Sequence, residues 1–319
     1  MSVLLETNLP LPLFRRGKVR DVYDLAPDSI RGKLLIVSTD RISAFDVVLP
    51  CGIPDKGNVL NQLSAFWFKK TAHILPNHLI KVIDSVDTLR DVIARAESPK
   101  QSQGKRGSSL MPETNLIGRS MLVAKAERIP VECVVRGYLS GSAWAEYKET
   151  GKIGDIRLPS GLQESQEFSQ PIFTPTTKSD TEHDRPLTKQ DIKSLGVEDL
   201  FEELEQKSLL IYGYARDYAR RRGIIIADTK FEFGFINGQL ALIDELLTPD
   251  SSRFWDASQY KVGCSQPSFD KQPVRDWLVA SGWDKEPPAP MLPPEVIEST
   301  SKRYREVYSR LTGGILRGK

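Results

Sequence analysis

The spacing of hydrophobic residues changes several times along the chain, and each spacing predicts a different kind of element. Between residues 17 and 49, short runs rich in Val, Ile and Leu predict strands, as in KVRDVYDL, KLLIVSTD and AFDVVL. The stretch NVLNQLSAFWFKKTAHIL then places Leu60, Leu63, Phe66 and Trp67 on one helical stripe and stops before Pro76. We therefore expect a strand-rich N-terminal region followed by a helix with one buried face.

Strand and helix patterns alternate irregularly in the rest of the chain. RSMLVAKAERIPVECVVRG predicts a strand that Pro130 interrupts, and Thr188 is placed to cap a short helix. VEDLFEELEQKSLLIYGYARDYARRRG predicts a long amphipathic helix that Gly223 ends, and two further helical patterns lie beyond residue 270. The order of strands, helix, strands, helix, hairpin and helices favours an α+β fold over a regular βαβ winding. The residues expected to face inward on the long helix are Leu200, Leu204, Ile211, Ala215 and Tyr218.

Two polar segments and one extended segment indicate how the chain is divided. Residues 96–115 and 160–191 have no hydrophobic period and predict loops. The extended segment near residue 124 joins the strand-rich region to the remainder and could act as a hinge. We predict two domains: residues 1–124 as a strand-rich lobe with a basic phosphate-loop hairpin, and residues 125–319 as an α+β lobe whose C-terminal helices pack back.

Composition and charge exclude several classes of function. Of the 319 residues, 39% are hydrophobic and 27% are charged, and a formal net charge of +2 gives no electrostatic footprint for nucleic acid. Nor is a membrane span or a secretory signal apparent, because apolar runs are short and MSVLLETNLPLPLF has no basic lead. Cys51, Cys133 and Cys264 are far apart, which predicts reduced core thiols. We expect a cytoplasmic monomer or small homo-oligomer that binds neither nucleic acid nor membrane.

The richest candidate for chemistry is the hairpin pattern IIIADTKFEFGFINGQLALIDELLTPDSSRFWD, residues 224–256. Side chains alternate along a strand, so Asp228, Lys230 and Glu232 share one face, while Phe231 and its aromatic neighbours share the other. A solvated sheet face would tolerate the same polar set. However, the opening IIIA run is typical of a strand buried on both faces, where charged groups need each other, a metal or a ligand. Carboxylates beside a lysine suit Mg²⁺-nucleotide binding.

The turn at Asn237-Gly238 decides which acid joins Glu232. A two-residue loop pairs Glu232 with Ile243, which turns Asp244 away and makes Glu245 the partner instead. A three-residue loop with Gly238 as a left-handed bulge puts Asp244 on the face of Glu232. A metal site shared by Glu232 and Asp244 therefore predicts the three-residue loop.

Five other segments combine polar groups with turn residues, and turn chemistry could explain two of them, RRGKVRDVY and STDRISAFD. RRGKVRDVY could lie over phosphates, although it has neither the Walker nor the GxGxxG pattern. IPVECVVRGYLSGSAW offers Arg136 and Ser142 in a glycine-broken stretch, which is suitable phosphate chemistry. STDRISAFD and TTKSDTEHD are acidic and hydroxyl-rich clusters. Their candidate residues are Asp40, Arg41, Ser43, Asp46, Lys178, Ser179, Asp180, His183 and Asp184, with Arg253 from the later TPDSSRFWD.

Taken in order, these segments resemble the SAICAR synthetase (phosphoribosylaminoimidazole-succinocarboxamide synthase) family. The resemblance is carried by IPVECVVRGYLSGS and IADTKFEFG, and by GKVRDVYDL, STDRISAFDVVLP, IPDKGNVLNQLSAFWF, FTPTTKSDTEHD, LIDELLTPDSSRFW and SFDKQPVRDWL. It covers nearly the whole chain. It implies a two-lobed fold related to the ATP-grasp and kinase-like folds. It also implies a ligase of purine biosynthesis that uses ATP and Mg²⁺ to join L-aspartate to the carboxylate of an aminoimidazole carboxylate ribonucleotide by way of an acyl phosphate.

The resemblance also implies a role for particular residues. Gly17, Lys18 and Arg20 would meet the ATP phosphates, and the backbone of Lys125, Ala126 and Glu127 would meet adenine. Glu232 and Asp244 would hold Mg²⁺, with Lys230 near the transferred phosphoryl group and Asp228 steering that lysine. Arg136, Ser142 and Arg253 would hold the ribonucleotide phosphate, and Asp40, Ser43, Lys178, Ser179 and Asp180 would line the ribonucleotide and aspartate pockets. The family often has a lysine pair at the hinge, where this chain has Ala124-Lys125.

Two other functions fit some of the same residues. A small-molecule or lipid kinase of related fold would need the metal acids but an alcohol acceptor, and it leaves the Arg136, Ser142 and Arg253 set unexplained. A nucleotide-sensing module without turnover would have less need for Lys230 and Glu232. ADP release that requires L-aspartate separates the ligase from both.

Overall fold

The computed structural model describes residues 3–26, 32–96, 113–178 and 185–316. Within these ranges the chain has an α+β fold built on two antiparallel sheets. The strands are β1 (Leu13–Arg16), β2 (Arg20–Asp24), β3 (Lys33–Ser38), β4 (Arg41–Ala44), β5 (Val47–Gly52), β6 (Leu79–Val82), β7 (Ser120–Ala124), β8 (Glu127–Tyr138), β9 (Lys152–Ile153), β10 (Ile156–Arg157), β11 (Glu167–Phe173), β12 (Thr176–Thr177), β13 (Ile224–Ile236), β14 (Gln239–Ile243) and β15 (Ser252–Asp256). The helices are α1 (Lys56–Thr71), α2 (Val86–Ala96), α3 (Ser142–Thr150), α4 (Lys189–Ser194), α5 (Glu198–Arg220), α6 (Gln272–Ala280) and α7 (Pro294–Thr312).

The N-terminal sheet has the strand order β1-β2-β3-β7-β6. Its strands alternate their side chains between two apolar faces. Leu35 and Val37 pack with Leu89 and Val92 of α2 on one face, while Ile36 contributes to the other. The sheet ends in sequence at Ala124, and the chain enters the second sheet at Glu127. The domain boundary at residue 124 remains a prediction that coincides with this passage.

The second sheet has the order β11-β8-β13-β14, with β12 added beside β8 and β15 beside β13. One face of β13 packs Phe231 and Phe233 into the main core beneath α5. The predicted interruption at Pro130 is wrong, because β8 continues through it to Tyr138. Pro130 falls where the register of β8 against β13 shifts, and such a bulge tolerates the missing N–H.

Several other expectations can be compared with the described residues. The helix α1 begins at Lys56, and Thr188 caps α4 with a reciprocal hydrogen-bonded box involving Asp191. The segment 160–191 was expected to be a loop throughout, but it contains β11 and β12. Cys51 and Cys133 are buried, whereas Cys264 is exposed, so the core-thiol prediction is wrong for Cys264.

The C-terminal helices pack back onto the earlier part of the chain. Val274 and Leu278 of α6 share a core with Ile42 and Leu49 of the β4–β5 hairpin. The last helix, α7, packs against α1. This arrangement places the β4–β5 hairpin, the start of α1 and the segment before α6 around the polar face of the second sheet. Of the helices in the described ranges, none is both long enough and apolar enough to cross a bilayer.

Candidate active site

A row of charges crosses the second sheet at Asp228. On β13, Asp228 lies directly opposite Arg136 of β8 on one side and Arg253 of β15 on the other. The Asp228 carboxylate accepts hydrogen bonds from both guanidiniums, at 3.4 Å from Arg136 and at shorter range from Arg253. Asp228 is only 6% exposed, so it neutralises two largely buried cations at once. The row therefore carries one more positive charge than negative.

Burial and the carboxylate act differently on the two arginines. Burial lowers the pKa of Arg136, and repulsion from the nearby Arg253 lowers it further. Attraction to Asp228 acts in the opposite direction but does not offset these effects. Asp228 raises the pKa of Arg253. Two guanidiniums with one carboxylate between them are suited to receive a further anion.

The next polar row on the same face brings two glutamates together. Glu232 of β13 lies directly opposite Glu132 of β8, an arrangement that is unfavourable unless cations intervene. Lys178 supplies one, 2.6 Å from Glu132 and 3.1 Å from Glu232. Lys230 supplies another, 3.0 Å from Glu132. The expectation that Asp228 steers Lys230 is therefore corrected: Glu132 holds this lysine, because Asp228 is drawn to the arginines on both neighbouring strands.

The hairpin loop is the two-residue kind, so the prediction of a three-residue bulged loop is wrong. Ile236 pairs with Gln239 and Glu232 pairs with Ile243, with Asn237 and Gly238 both at positive φ. Asp244 nevertheless approaches Glu232. The strand ends at Ile243 and Asp244 adopts a left-handed backbone with a φ of 65°, which breaks the strict alternation on which the prediction relied.

Glu232 and Asp244 form an acidic pair with unequal protonation. Burial, followed by repulsion from Asp244, raises the pKa of Glu232 to about 7. Burial acts to raise the pKa of Asp244 as well, but attraction to Arg20, aided by Lys178, more than offsets it and holds this pKa below its usual value. The Arg20 guanidinium lies 2.5 Å from Asp244 and 3.6 Å from Glu245. Glu245 is thus a neighbour of Arg20, and Asp244 is the acid that influences Glu232 most.

The pair is suitable for a hard cation. Nowhere in the described ranges are three or more His, Cys, Asp or Glu side chains grouped as metal ligands. Mg²⁺ does not require such a group, since it commonly takes one or two carboxylates and completes its shell with water and substrate phosphates. Burial and the charge of Asp244 raise the pKa of Glu232, and a divalent ion bound between the two carboxylates would favour its ionised form.

The turn between β1 and β2 lies beside this acidic pair. Arg20 reaches Asp244, and the Lys18 ammonium lies 2.5 Å from Asp46 at the tip of the β4–β5 hairpin. Residues 125–127, at the predicted hinge, are also close by in the fold. Lys125 pairs with Asp24 at 2.7 Å, and a Cβ on Gly234 would lie only 2.7 Å from the carbonyl oxygen of Glu127. Ala126 packs on the same glycine, so the hinge backbone lies directly against β13.

A cavity of about 450 Å³ extends over the polar face of the sheet. It collects several predicted site residues, namely Ser43, Arg136, Ser142, Asp228, Lys230 and Arg253. At one end, Gly141 precedes the N-terminus of α3 with a φ of 59°, and a Cβ there would lie 2.3 Å from the Arg253 guanidinium. The first turn of α3, Ser142, Arg136 and Arg253 therefore converge, as an anion site requires.

Some predicted residues are placed elsewhere. Asp40 does not line the cavity: it is fully buried, accepts hydrogen bonds from the backbone of Leu4 and Gly57, and pairs with Arg119. Lys178 lies with the glutamates, close to the expected metal position. Ser179 and Asp180, like His183, lie outside the described residues.

Five charged residues of the site were missed as individual candidates, and one of them, Asp270, lines the cavity beside Lys271. Glu132 lay within a quoted motif, yet its position opposite Glu232 depends on strand pairing. Asp250, Lys271 and Arg275 line the cavity from the loop before β15 and the start of α6. Their only signal in the sequence was their presence in TPDSSRFW, where Arg253 was the candidate, and in SFDKQPVRDWL, which carried the resemblance alone.

Comparison with known proteins covers nearly the whole chain. A family model described as SAICAR synthetase matches residues 13–290. The phosphoribosylaminoimidazole-succinocarboxamide synthase of Thermodesulfovibrio yellowstonii is 48% identical over 312 residues, which cover 98% of this chain and 99% of the relative. A solved SAICAR-synthase from Saccharomyces cerevisiae complexed with SAICAR is 43% identical with a TM-score of 0.82, covering 98% of this chain and 99% of that chain. A SAICAR synthetase in complex with ADP is 25% identical with a TM-score of 0.62, covering 94% and 98%. Because the fold and the sequence agree along their full length, the chain belongs to the SAICAR synthetase family.

Proposed function

We propose that this protein joins L-aspartate to the carboxylate of an aminoimidazole carboxylate ribonucleotide, with ATP converted to ADP and phosphate. The observation that carries the proposal is the placement of an anion site and an acidic cation site on one strand. Asp228, between its two arginines, and Glu232, beside Asp244, lie four residues apart on β13, which corresponds to about 13 Å. A phosphorylated ribose that bears an imidazole carboxylate can span such a distance.

The ribonucleotide phosphate binds at the arginine row. Arg136, Arg253 and Ser142 line the same end of the cavity, where the first turn of α3 adds backbone N–H groups. Asp228 balances the charge of only one of the two guanidiniums, and the bound phosphate balances the other. The relative that carries SAICAR, at 43% identity, supports a ribonucleotide in this fold.

ATP lies on the other side of the acidic pair. Its phosphates meet the turn of Gly17, Lys18 and Arg20, and its adenine meets the backbone of residues 125–127. The relative solved with ADP supports a nucleotide in this fold. Glu232 and Asp244 would hold Mg²⁺ together with phosphate oxygens, and the ion would supply charge neutralisation at the transferred group.

The reaction requires an activated carboxylate, since oxide is a poor leaving group. An oxygen of the ribonucleotide carboxylate attacks the γ-phosphorus of ATP, and ADP leaves with the bonding electrons. The nitrogen of L-aspartate then attacks the carbonyl carbon of the acyl phosphate, phosphate departs, and the amine loses a proton. Lys230 lies on the cavity floor between the two sites, where its ammonium stabilises the phosphoryl oxygens. Glu132 keeps this lysine charged: burial lowers its pKa, but attraction to Glu132 more than offsets the effect.

L-Aspartate carries two carboxylates and therefore needs cations of its own. Lys271 and Arg275 line the same cavity from the start of α6. The acidic residues nearby do not fully neutralise the positive charges of Lys271 and Arg275. Asp250 is engaged by Lys56 at 2.7 Å and by the hydroxyl of Tyr304 at 2.7 Å. Asp270 accepts a hydrogen bond from the backbone N–H of Gln272 at 2.9 Å and lies 3.4 Å from the Arg275 guanidinium. Burial lowers the pKa of Lys271, so a bound carboxylate would favour its protonated form. We assign these two cations to the dicarboxylate.

The test is ADP release from the purified protein with Mg-ATP and the carboxylated aminoimidazole ribonucleotide, with and without L-aspartate. We expect ADP that depends on aspartate, with one equivalent of succinocarboxamide product for each ADP. ADP formed equally without aspartate would identify a kinase or an uncoupled phosphorylation instead. ATP binding with no ADP in either mixture would identify a nucleotide sensor.

A further inference from the structure

Arg41 is a buried arginine that belongs to the hairpin on the substrate side of the proposed site and forms hydrogen bonds with the turn on its nucleotide side. It is the first residue of β4 and is 8% exposed. Further along the same hairpin, Ser43 to Asp46 line the substrate cavity. The guanidinium points the other way, towards the β1–β2 turn that we assign to the ATP phosphates.

The guanidinium of Arg41 is distributed over four acceptors. Its Nη2 donates to the carbonyl oxygen of Gly17 at 2.8 Å and to the Asp21 carboxylate at 2.7 Å. Its Nε donates to the carbonyl oxygen of Lys18 at 3.3 Å, and its Nη1 donates to the carbonyl oxygen of Leu5. Asp21 is fully buried, and it also accepts from the backbone and hydroxyl of Thr7. One side chain thus joins the N-terminal segment, the turn and β2.

These hydrogen bonds fix the backbone of the turn and do not engage its side chains. Thr39 donates two hydrogen bonds to the carbonyl oxygen of Val19, one from its N–H and one from its hydroxyl, both at 2.9 Å. Three successive carbonyls, those of residues 17, 18 and 19, are therefore anchored to the segment that leads into β4. The side chains of Lys18 and Arg20 extend outward from this anchored backbone to Asp46 and Asp244.

The far end of the hairpin is also held in an unusual conformation. Phe45 and Asp46 form its two-residue turn with φ values of 50° and 66°, a conformation that usually selects Asn or Gly. The Phe45 ring lies 6.4 Å from that of Trp283, and the Lys285 ammonium lies 4.8 Å from its centre. The cavity wall at Ser43 to Asp46 is thus fixed at its tip by the C-terminal segment and at its base by Arg41.

We propose that Arg41 is a positioning residue that holds the Gly17 to Arg20 turn in the conformation that binds nucleotide phosphates and ties this turn to the substrate hairpin. The proposal rests on the function proposed above, because it takes the turn to be the nucleotide side of the site. Lysine in place of Arg41 keeps the charge beside Asp21 but cannot reach all four acceptors with one ammonium. The turn is then in the binding conformation for only a fraction of the time, and the apparent affinity for the nucleotide is reduced to that fraction of its full value.

The experiment measures ADP binding by isothermal titration calorimetry, together with the melting temperature, for the wild type and for Arg41→Lys. We expect about a tenfold rise in the Kd for ADP, the factor that corresponds to losing the hydrogen bonds to the turn. In turnover assays, the KM for ATP should rise by a similar factor, whereas the KM for L-aspartate should stay near the wild-type value.

Arg119→Lys is the matched control. Arg119 is also a buried arginine of the N-terminal region, 6% exposed and 2.9 Å from Asp40. The Arg119→Lys substitution should lower the melting temperature without changing the Kd for ADP. If Arg41→Lys leaves the Kd unchanged, or if Arg119→Lys raises it as much, then Arg41 is only a structural residue and the proposal is wrong.

A milder variant keeps the question decidable if Arg41→Lys does not fold. Thr39→Val removes the hydroxyl bond to Val19 and adds no buried charge. It should raise the Kd for ADP by about threefold, and an unchanged Kd would overturn the proposal. ADP binding does not depend on the identity of the acceptor. A failure of aspartate-dependent ADP release in the wild type would therefore overturn the proposed reaction while leaving the role of Arg41 to be decided by the Kd values.

Discussion

Replacing Glu232 with Gln should make the metal-free protein more stable at pH 8, although the change removes an ion pair with Lys178. The reason is the unequal acidic pair: burial and the charge of Asp244 raise the pKa of Glu232 from an ordinary 4.5 to about 7. That shift already includes the opposing attraction of Lys178 and Arg20. The charged form of Glu232 is therefore unfavourable in the folded protein, and Gln resembles the neutral form.

The magnitude follows from the linkage between protonation and folding. A folded-state pKa above the unfolded value means that stability is retained below about pH 4.5 and is lost as the pH rises to about 7. The rise in the pKa of Glu232 corresponds to about 3 kcal/mol when the group is fully ionised. Glu232→Gln should recover most of this, which is a rise in melting temperature of about 5 °C at pH 8 and little change at pH 4.5.

Glu132→Gln is the matched control, since Glu132 lies directly opposite Glu232 and shares Lys178 with it. Although burial acts to raise it, attraction to Lys230 and Lys178 lowers the pKa of Glu132 below its ordinary value. Its ionised form stabilises the fold, so Glu132→Gln should lower the melting temperature at pH 8. The assay is thermal unfolding in chelator at both pH values. Loss of stability in Glu232→Gln at pH 8, or an equal gain at pH 4.5, would refute the reasoning. With Mg-ATP present, the same variant should lose turnover.

Three further predictions concern the ligand sites. Arg136→Ala should raise the KM for the ribonucleotide by at least tenfold, and an effect confined to ATP would show that Arg136 belongs to the other pocket. Gly141→Ala should displace the Arg253 guanidinium, which would lie 2.3 Å from the new Cβ, so that ribonucleotide affinity falls while ADP binding measured by calorimetry is unchanged. Lys271→Met should raise the KM for L-aspartate by about tenfold with an unchanged KM for ATP, and equal changes in both would contradict our assignment of the aspartate subsite.

The alternation of Asp228, Lys230 and Glu232 was sufficient to predict their shared face. Side chains alternate between the two faces of a strand whatever surrounds it. The sequence therefore predicts both the polar face and the buried aromatic face opposite to it. The same holds for α5 and for the cap at Thr188, where the signals lie within one turn of helix. Local order of this kind, together with the resemblance of the motifs, determined the α+β class and the family.

The partners of those side chains were decided by the tertiary structure. Glu132 faces Glu232, and Arg253 faces Asp228, only because β8 and β15 pair with β13 in a particular register, and long-range register is not encoded in any one strand. Asp244 joins Glu232 through a single left-handed residue after the strand, which overrides the alternation that the sequence predicted. Lys271 reaches the cavity because α6 packs on the β4–β5 hairpin, a contact between segments more than 200 residues apart. Local patterns along the chain thus show which charged groups are available and which face they share. Which of those charges meet depends on the packing of distant segments, since a buried charge is stabilised only by the neighbours that the fold brings to it.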